Sequence, residues 1–123
     1  MTDANLPLAD IRVLELGHII AGPSAGLLLA DLGADVIKVE KPAEGDQTRG
    51  MPAGNWANFH FFNRNKRSVA IDLKGSQEGR ELFLRMAKSA DVVIDNFAYG
   101  AVEGLGLGTR CCRRRIPASS TWR

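Results

Sequence analysis

Four short stretches of this sequence have residue types that suit phosphate groups and flat rings. The string GHIIAG at 17–22 is a glycine-bounded turn, and Lys41 follows a predicted strand. A second lysine, Lys74, ends the string IDLK, and Asn96 stands next to the aromatic ring of Phe97. Backbone N–H groups and lysine side chains attract phosphate oxygens. Together the four stretches favour a ligand that has both phosphates and a planar base.

Alternating strands and helices must position these stretches. Pro23 suits the first turn of a helix, Gly33 is typical of its end, and Ser76 can cap a second helix. The predicted strands cover residues 11–16, 35–40, 68–73 and 91–95. This alternation predicts an α/β fold, with a Rossmann-like parallel sheet and flanking helices. Ligands of such sheets bind beyond the carboxyl ends of the strands, so we expect the four stretches to share one rim.

A dinucleotide-binding dehydrogenase is one alternative. Glu40 ends the second strand, where an acid would bind a ribose hydroxyl. The dehydrogenase fingerprint, however, needs G-x-G-x-x-G in the first turn, and this turn has its glycines at Gly17, Gly22 and Gly26. His18 and its neighbours would crowd the pyrophosphate, so we disfavour a dehydrogenase. No partner acid is visible for His18 as a catalytic base, and no catalytic residue is assigned.

Composition and charge narrow the class of protein and the partners that it can have. Hydrophobic residues make up 45% of the 123, as in globular proteins. Five of the 16 basic residues are arginines after residue 109, which leaves 11 basic against 14 acidic residues in the rest. That body is slightly acidic, so we expect no nucleic-acid partner. Apolar runs are too short for a membrane span and the start has no signal core, which predicts no membrane partner and a cytoplasmic location.

Three longer strings resemble one enzyme family. They are RVLELGHIIAGPSAGLLLADLGADVIKVEKPAEGDQTRG, FFNRNKRSVAIDLK and ADVVIDNFAYGAVEGLGLG, and they follow one another with family-like spacing. Between about residues 8 and 108 the chain resembles the start of a family III CoA-transferase. The resemblance implies a Rossmann-like CoA-binding domain and an interlocked homodimer. It also implies acyl-CoA and a carboxylic acid as substrates, with coenzyme A held as substrate and no permanently bound cofactor.

The resemblance also implies which residues contact CoA. The first turn and Lys41 would meet the nucleotide, the segment 71–74 would line the adenosine, and 96–98 would follow the diphosphate and pantetheine. The basic run NRNKRS would border the CoA site and the dimer contact. The implied CoA-binding residues are Ile20, Ala21, Lys41, Ile71, Asp72, Leu73, Lys74, Asn96, Phe97 and Ala98.

Two positions depart from the family pattern. Formyl-CoA transferase has Gln at the position of Ile20, and Ile cannot hydrogen-bond a substrate, so the formyl and oxalyl pair is disfavoured. The family often has Arg near Gly104, where glycine supplies no charge for the CoA phosphates. The family nucleophile, an Asp carboxylate, and the racemases' His and Asp pair both lie beyond residue 108, so we expect this polypeptide to be inactive alone.

Residues 109–123 form an atypical tail. It has four further arginines besides Arg110, no apolar period and adjacent Cys111 and Cys112. Adjacent cysteines are poorly spaced for a metal site or a disulfide, so no metal site is predicted. We hypothesise that a frameshift produced this tail. Three functions stay open for the chain: part of a CoA-transferase or racemase, a stand-alone CoA- or nucleotide-binding module, or an interaction partner of a full-length relative.

Overall fold

Four parallel strands form one sheet in the computed structural model, which describes residues 5–52 and 56–108. The strand order is β3-β2-β1-β4 and all three pairings are parallel. The predicted Rossmann-like α/β fold is therefore confirmed. The tail at 109–123, with its two cysteines, lies outside the described residues. The strands are β1 (Arg12–Glu15), β2 (Asp35–Glu40), β3 (Arg67–Ala70) and β4 (Val92–Ile94).

Helices connect the strands. The aromatic run NFHFF lies in a helix, and a short 3-10 helix spans Gln47–Gly50. The third strand is shorter than predicted because Asp72 Oδ1 accepts hydrogen bonds from the N–H groups of Lys74 and Gly75 at 3.1 and 2.7 Å, which turns the chain. The α-helices are α1 (Ala21–Asp31), α2 (Trp56–Asn63), α3 (Gln77–Ala87) and α4 (Ala101–Gly104).

The ends of helices α1 and α3 in the structure agree with the capping signals identified in the sequence. Ser76 caps α3 by accepting a hydrogen bond from the Gly79 N–H at 3.0 Å. Helix α1 starts at Ala21, two residues before Pro23, and the chain leaves it through Gly33 at φ 102°. A positive φ of this kind costs glycine little, which is why glycine is common after a helix.

The sheet is covered on both faces, because successive residues of a strand point to opposite sides. On one side Leu14 and Val93 pack with Phe83 of α3, whose side chain is fully buried. On the other side Val13 and Val36 pack under α1. Helix α3 therefore lies on one face and α1 on the other, as the apolar spacing in each helix requires.

The strand order creates a switch point between β1 and β4. From β1 the chain moves outward to β2 and β3, then returns to the other side of β1 to form β4. The loops after β1 and β4 therefore leave the sheet side by side and in different directions. In open α/β sheets the crevice at such a point is the usual ligand site.

Candidate functional site

The loops after β1 and β4 are fastened together by one side chain. Asn96 Oδ1 accepts a hydrogen bond from the His18 N–H at 2.9 Å, and Asn96 Nδ2 donates to the His18 carbonyl oxygen at 2.9 Å. The His18 and Phe97 rings lie 5.0 Å apart between centroids. Both backbone groups of one turn residue are thus held by one amide. The crevice at the switch point has a fixed wall as a result.

Two glycines let the turn close on itself. A Cβ on Gly17 would lie 2.6 Å from the Cα of Gly22, and the reverse distance is also 2.6 Å. Either side chain would also come within 3.1 Å of Asn96 Oδ1. These glycines serve close packing of the turn against Asn96, which differs from the dehydrogenase pattern considered above.

Ile19, inside this turn, has a left-handed backbone conformation with φ 67°. A β-branched residue rarely adopts this region, and such strain costs about 1–3 kcal/mol. Asp46 Oδ1 accepts a hydrogen bond from the Ile19 N–H at 3.4 Å, and the Asn96 clamp holds the preceding residue. Strain that neighbours hold in place is typical of ligand-binding segments.

The amino end of α1 opens from the same turn. Ile20 is its N-cap, no side chain caps the first turn, and no acid lies in that turn. The Ile20 side chain is half exposed. The partial positive charge of a helix amino end stabilises anions, above all where no side chain already satisfies the N–H groups. The site therefore offers backbone donors to an anionic ligand.

A buried ionic network of Glu15, Lys38, Asp46 and Lys66 lies beneath the turn. Glu15 and Lys38 are register partners on β1 and β2, and both point to the α1 side. Lys38 Nζ donates to Glu15 Oε1 at 3.0 Å and to the Gly17 carbonyl oxygen at 2.8 Å, and lies 2.8 Å from Asp46 Oδ2. All three side chains are at most 2% exposed. Lys38 therefore supports the turn from below.

Lys66 completes this network from a distant part of the chain. Its Nζ donates to Glu15 Oε2 at 2.6 Å and to the Pro23 carbonyl oxygen in the first turn of α1 at 2.8 Å. Burial lowers the pKa of Lys66, although the hydrogen bond to Glu15 opposes that effect. Two lysines and two carboxylates give the network no net charge. This balance is what allows four ionised groups to be buried.

Asp46 ties the loop after β2 to the network. It caps the 3-10 helix by accepting hydrogen bonds from the Thr48 N–H at 2.9 Å and the Thr48 hydroxyl at 2.7 Å. Burial would raise the pKa of Asp46, but the ion pair with Lys38 and the hydrogen bonds from Thr48 outweigh it and lower the pKa to about 2. The carboxylate is thus ionised at neutral pH and holds two loops.

The carboxylate of Glu40, the acid at the end of β2, is hydrogen-bonded to other groups of the same chain. Its oxygens accept hydrogen bonds from Arg49 Nε at 2.8 Å, Ser68 Oγ at 2.7 Å and the Asp46 N–H at 2.8 Å. Burial would raise the pKa of Glu40, but these hydrogen bonds outweigh it and lower the pKa to about 2. A ribose hydroxyl would have to displace them, which counts further against a dehydrogenase.

The buried ionic network was not predicted from the sequence, although a signal was present. Glu15 interrupts the apolar string RVLEL, and Lys38 interrupts DVIKVE. A charge inside an otherwise apolar strand of a covered sheet needs a buried partner. The two charges are of opposite sign, so their pairing could have been proposed. Lys66 and Asp46 could not, because neither lies in such a strand.

All ten predicted CoA-binding residues follow the carboxyl ends of the four strands, and they therefore lie on the side of the sheet at which the strands end. Ile20 and Ala21 form the start of α1 after β1. Lys41 is exposed directly after β2, and its Nζ lies 2.7 Å from Glu44 Oε2. This surface pair is weak and can open for a ligand.

The stretch after β3 has both buried and exposed members. Ile71 is a core residue, only 4% exposed, so its side chain faces away from solvent. Leu73 packs partly against the same core. Asp72 forms the turn described above, and Lys74 is exposed beyond it. Ile71 can therefore offer a ligand its backbone alone.

The stretch after β4 provides one wall of the crevice. The Asn96 side chain is occupied with His18, and Phe97 packs against the same residue. Ala98 is exposed, and its carbonyl oxygen accepts the Ala101 N–H at 3.0 Å at the start of α4. Asn96 thus positions the turn after β1, and its direct contact with CoA stays a prediction.

The basic run NRNKRS has intramolecular partners. Arg64 pairs with Asp31 at 2.6 Å and Arg67 with Asp35 at 2.6 Å, while Lys66 belongs to the buried ionic network. Burial would raise the pKa of Asp35, but hydrogen bonds from Arg67 and Arg12 lower it.

None of the helices within residues 5–52 and 56–108 has the length and apolar composition of a membrane span. The same residues place no three His, Cys, Asp or Glu side chains where they could hold a metal ion.

Comparison with known proteins decides the family. Residues 8–118 match CoA-transferase family III. The chain belongs to CoA-transferase family III. The match extends ten residues past Gly108, into the segment that we expected to be atypical. The fold, the switch-point crevice and the strings identified in the sequence agree with this membership.

Relatives in CoA-transferase family III act on different acids. The chain is 46% identical to succinate–glutarate CoA-transferase of Agrobacterium fabrum, over 87% of this chain and 29% of that enzyme. It is 42% identical to formyl-CoA:oxalate CoA-transferase of Afipia carboxidovorans, over 80% of this chain and 24% of that enzyme. The crystal structure of Rv3272 from Mycobacterium tuberculosis matches with a TM-score of 0.88 and 41% identity, over 97% of this chain and 32% of that one. The chain thus spans under a third of these relatives.

Proposed function

We propose that this chain forms the nucleotide side of a CoA-transferase that moves CoA between an acyl-CoA and a carboxylic acid. The observation that carries the proposal is the Asn96 clamp on His18, which fixes the switch-point turn of a family III chain. The fixed turn presents the uncapped start of α1 to the crevice. An anionic pantetheine diphosphate suits this arrangement.

The proposed contacts divide between charge and backbone. Ile20 and Ala21 would offer backbone groups to the phosphates, and Lys41 and Lys74 would add positive charge from the neighbouring loops. The backbone of residues 71–73 would line the adenosine. Phe97 and Ala98 would follow the pantetheine arm, with Asn96 holding the turn in place. Burial of Ile71 limits that residue to backbone contacts.

The acid substrate depends on the rest of the enzyme. Succinate, glutarate and oxalate appear among the names of the relatives. The exposed Ile20 offers the crevice an apolar side chain, which disfavours the formyl and oxalyl pair. The resemblance implies that the nucleophilic Asp lies beyond this stretch, and that the full-length enzyme is an interlocked homodimer. A cytoplasmic location remains a prediction from the sequence.

The proposal is tested by calorimetric titration of the 123-residue chain with CoA. Lys41→Ala and Lys74→Ala should each weaken binding about two- to tenfold, because each removes one charge near the phosphates. Lys88→Ala is the matched control, since this exposed lysine follows α3 at the opposite edge of the sheet. Binding by the two lysine variants should also fall less steeply with salt than wild-type binding.

Two results would contradict this assignment. One is a folded chain that releases no heat with CoA at millimolar concentration. The other is a loss in Lys88→Ala equal to that in Lys41→Ala and Lys74→Ala, because it would indicate that overall charge, and no particular rim of the sheet, attracts the ligand.

A further inference from the structure

One aromatic side chain beside the candidate site is almost completely exposed. Tyr99 is the only tyrosine in the sequence, and its side chain is 97% exposed. A single exposed apolar side chain is by itself ordinary on a protein surface. At this exposure, however, the rest of residues 5–52 and 56–108 covers neither face of the ring. Both faces are therefore available to a ligand.

The backbone holds Tyr99 in a defined turn. The Ala98 carbonyl oxygen accepts a hydrogen bond from the Ala101 N–H at 3.0 Å, and Gly100 has φ 78° and ψ −7°. These angles are those of the third residue of a type II turn, and glycine adopts them without strain. Tyr99 is the second residue of this turn and lies at its tip. A ligand that contacts the ring does not have to order the backbone that carries it.

The turn borders the crevice at the switch point. It follows Phe97, whose ring centroid lies 5.0 Å from that of His18. Tyr99 lines a cavity of about 800 Å³ whose wall also includes Ala21 and Gly22 at the start of α1. The tyrosine ring and the amino end of α1, where we propose that phosphates bind, therefore face the same space.

The loop after β3 approaches this turn from the α3 side of the sheet. Leu73, in the segment proposed to line the adenosine, packs against the core cluster that contains Phe83 of α3. Phe97 and Val102, on either side of Tyr99 in the chain, pack against the same cluster. The loops after β3 and β4 thus lie over one face of the sheet. A planar base beside one loop can reach an aromatic ring on the other.

We propose that Tyr99 stacks on the adenine ring of CoA, as a contact additional to the ten residues predicted from the sequence. This inference rests on the proposed function and deepens it. Adenine is the one flat aromatic group of CoA, and a base stacked on an aromatic side chain strengthens binding. The pantetheine arm has no such face, and lysines and backbone N–H groups suit the phosphates.

The test compares CoA with its two halves, adenosine 3′,5′-bisphosphate and 4′-phosphopantetheine, in calorimetric titrations of the 123-residue chain. Tyr99→Ala should weaken binding of CoA and of adenosine 3′,5′-bisphosphate about fivefold or more, because one stacked base is lost. The affinity for 4′-phosphopantetheine should not change, since this half has no base. Tyr99→Phe should bind like the original chain, because the ring remains.

A second measurement observes the ring directly. Because the chain has a single tyrosine, a sample labelled on tyrosine gives one set of ring signals in NMR spectra. Titration with CoA or with adenosine 3′,5′-bisphosphate should shift these signals upfield, because a ring stacked over a base is shielded. Titration with 4′-phosphopantetheine should leave them in place.

Phe61→Ala is the matched control. Phe61 is also an exposed aromatic residue, with 57% of its side chain in contact with solvent. The Arg64 guanidinium lies 5.2 Å from its ring centroid and pairs with Asp31, the last residue of α1. Phe61 therefore lies away from the amino end of α1, and its loss should leave CoA binding unchanged.

Four results would overturn the proposal. If Tyr99→Ala binds CoA as tightly as the original chain, stacking is refuted and the proposed function stands. Equal weakening for both halves of CoA would show that Tyr99 does not recognise the base. A Tyr99→Phe variant as weak as Tyr99→Ala would assign the contact to the hydroxyl group. A folded chain that binds no CoA would refute the stacking and the proposed function together.

Discussion

Two lysines near the candidate site differ sharply in burial, although both pair with a glutamate. Lys66 Nζ lies 2.6 Å from Glu15 Oε2, and both side chains are at most 2% exposed. Lys41 Nζ lies 2.7 Å from Glu44 Oε2, with the side chains 60% and 72% exposed. Because solvent screens the second pair, equal distances correspond to very different energies.

Lys66→Met should therefore lower the free energy of unfolding by about 3–5 kcal/mol, because it leaves Glu15 buried with an incomplete set of partners. The same change at Lys41 should cost about 0–1 kcal/mol. Urea denaturation followed by circular dichroism measures both variants. Equal losses at the two positions would show that the buried ionic network does not stabilise the fold as described.

The two carboxylates that hold the loop after β2 predict acid sensitivity. The folded-state pKa of Glu40 and of Asp46 is about 2, below the ordinary values of 4.5 and 3.8. A lowered pKa contributes stability that is present above the ordinary value and is lost as the pH falls through the folded value. Each group should contribute about 2–4 kcal/mol at neutral pH.

We therefore expect the free energy of unfolding to fall between about pH 5 and pH 2. Urea titrations at a series of pH values measure this slope. Glu40→Gln is the informative comparison, since it removes one of the two titrating groups and should flatten the slope. If the variant and the original chain lose stability in parallel, Glu40 is not the source.

At the scale of elements, close approach between helices and strands depends on glycines. Gly26 allows α1 to lie directly over the Glu15 carboxylate, and Gly79 allows the first turn of α3 to approach the Asp72 carbonyl oxygen. A Cβ at either position would overlap these atoms. The positions of α1 and α3 over the sheet therefore depend on the absence of a side chain.

Gly79→Ala should destabilise the protein, although alanine is the better helix former by about 1 kcal/mol. The added Cβ meets backbone atoms of Asp72, which cannot move without disturbing the turn after β3. Gly104→Ala in α4 is the control, because nothing lies within 4 Å of its Cβ position. Thermal unfolding should show a lower midpoint for Gly79→Ala alone, and a raised midpoint in that variant would refute the close contact.

At the scale of the whole molecule, the strand order places the candidate site beside an edge strand of the sheet formed by residues 5–52 and 56–108. The site is formed by the loops after β1 and β4, and the edge strand is the same β4.

A polypeptide of these 123 residues should bind CoA and transfer none, because the resemblance implies that the nucleophilic Asp lies beyond this stretch. An assay with succinyl-CoA and glutarate, followed by chromatography of the CoA esters, should give no product above the blank. Turnover by the chain alone at an ordinary enzymatic rate, about 1 per second or more, would refute the need for a second part.

The helices, the strands and the side of the sheet on which the candidate residues lie were predictable from the order of the amino acids. Ser76 and Gly33 marked helix ends, and the alternation of strands and helices implied parallel strands, whose carboxyl ends must lie on one side. The periodicity of apolar residues and the capping residues of helices are local signals, so they can be recognised without knowing the fold. The family strings added the expected CoA contacts, which remain predictions.

Which of these residues contact one another depends on the folded chain. The partners Asn96 and His18 are 78 positions apart, and Lys66 and Glu15 are 51 apart. Such pairings depend on strand order and register, which local periodicity does not encode. Burial of Ile71 and the strained φ of Ile19 also follow from packing around the finished sheet. The loops that follow the strands were thus predictable from the sequence. The contacts that hold these loops in place, such as Asn96 with His18 and Lys66 with Glu15, were evident from the fold alone.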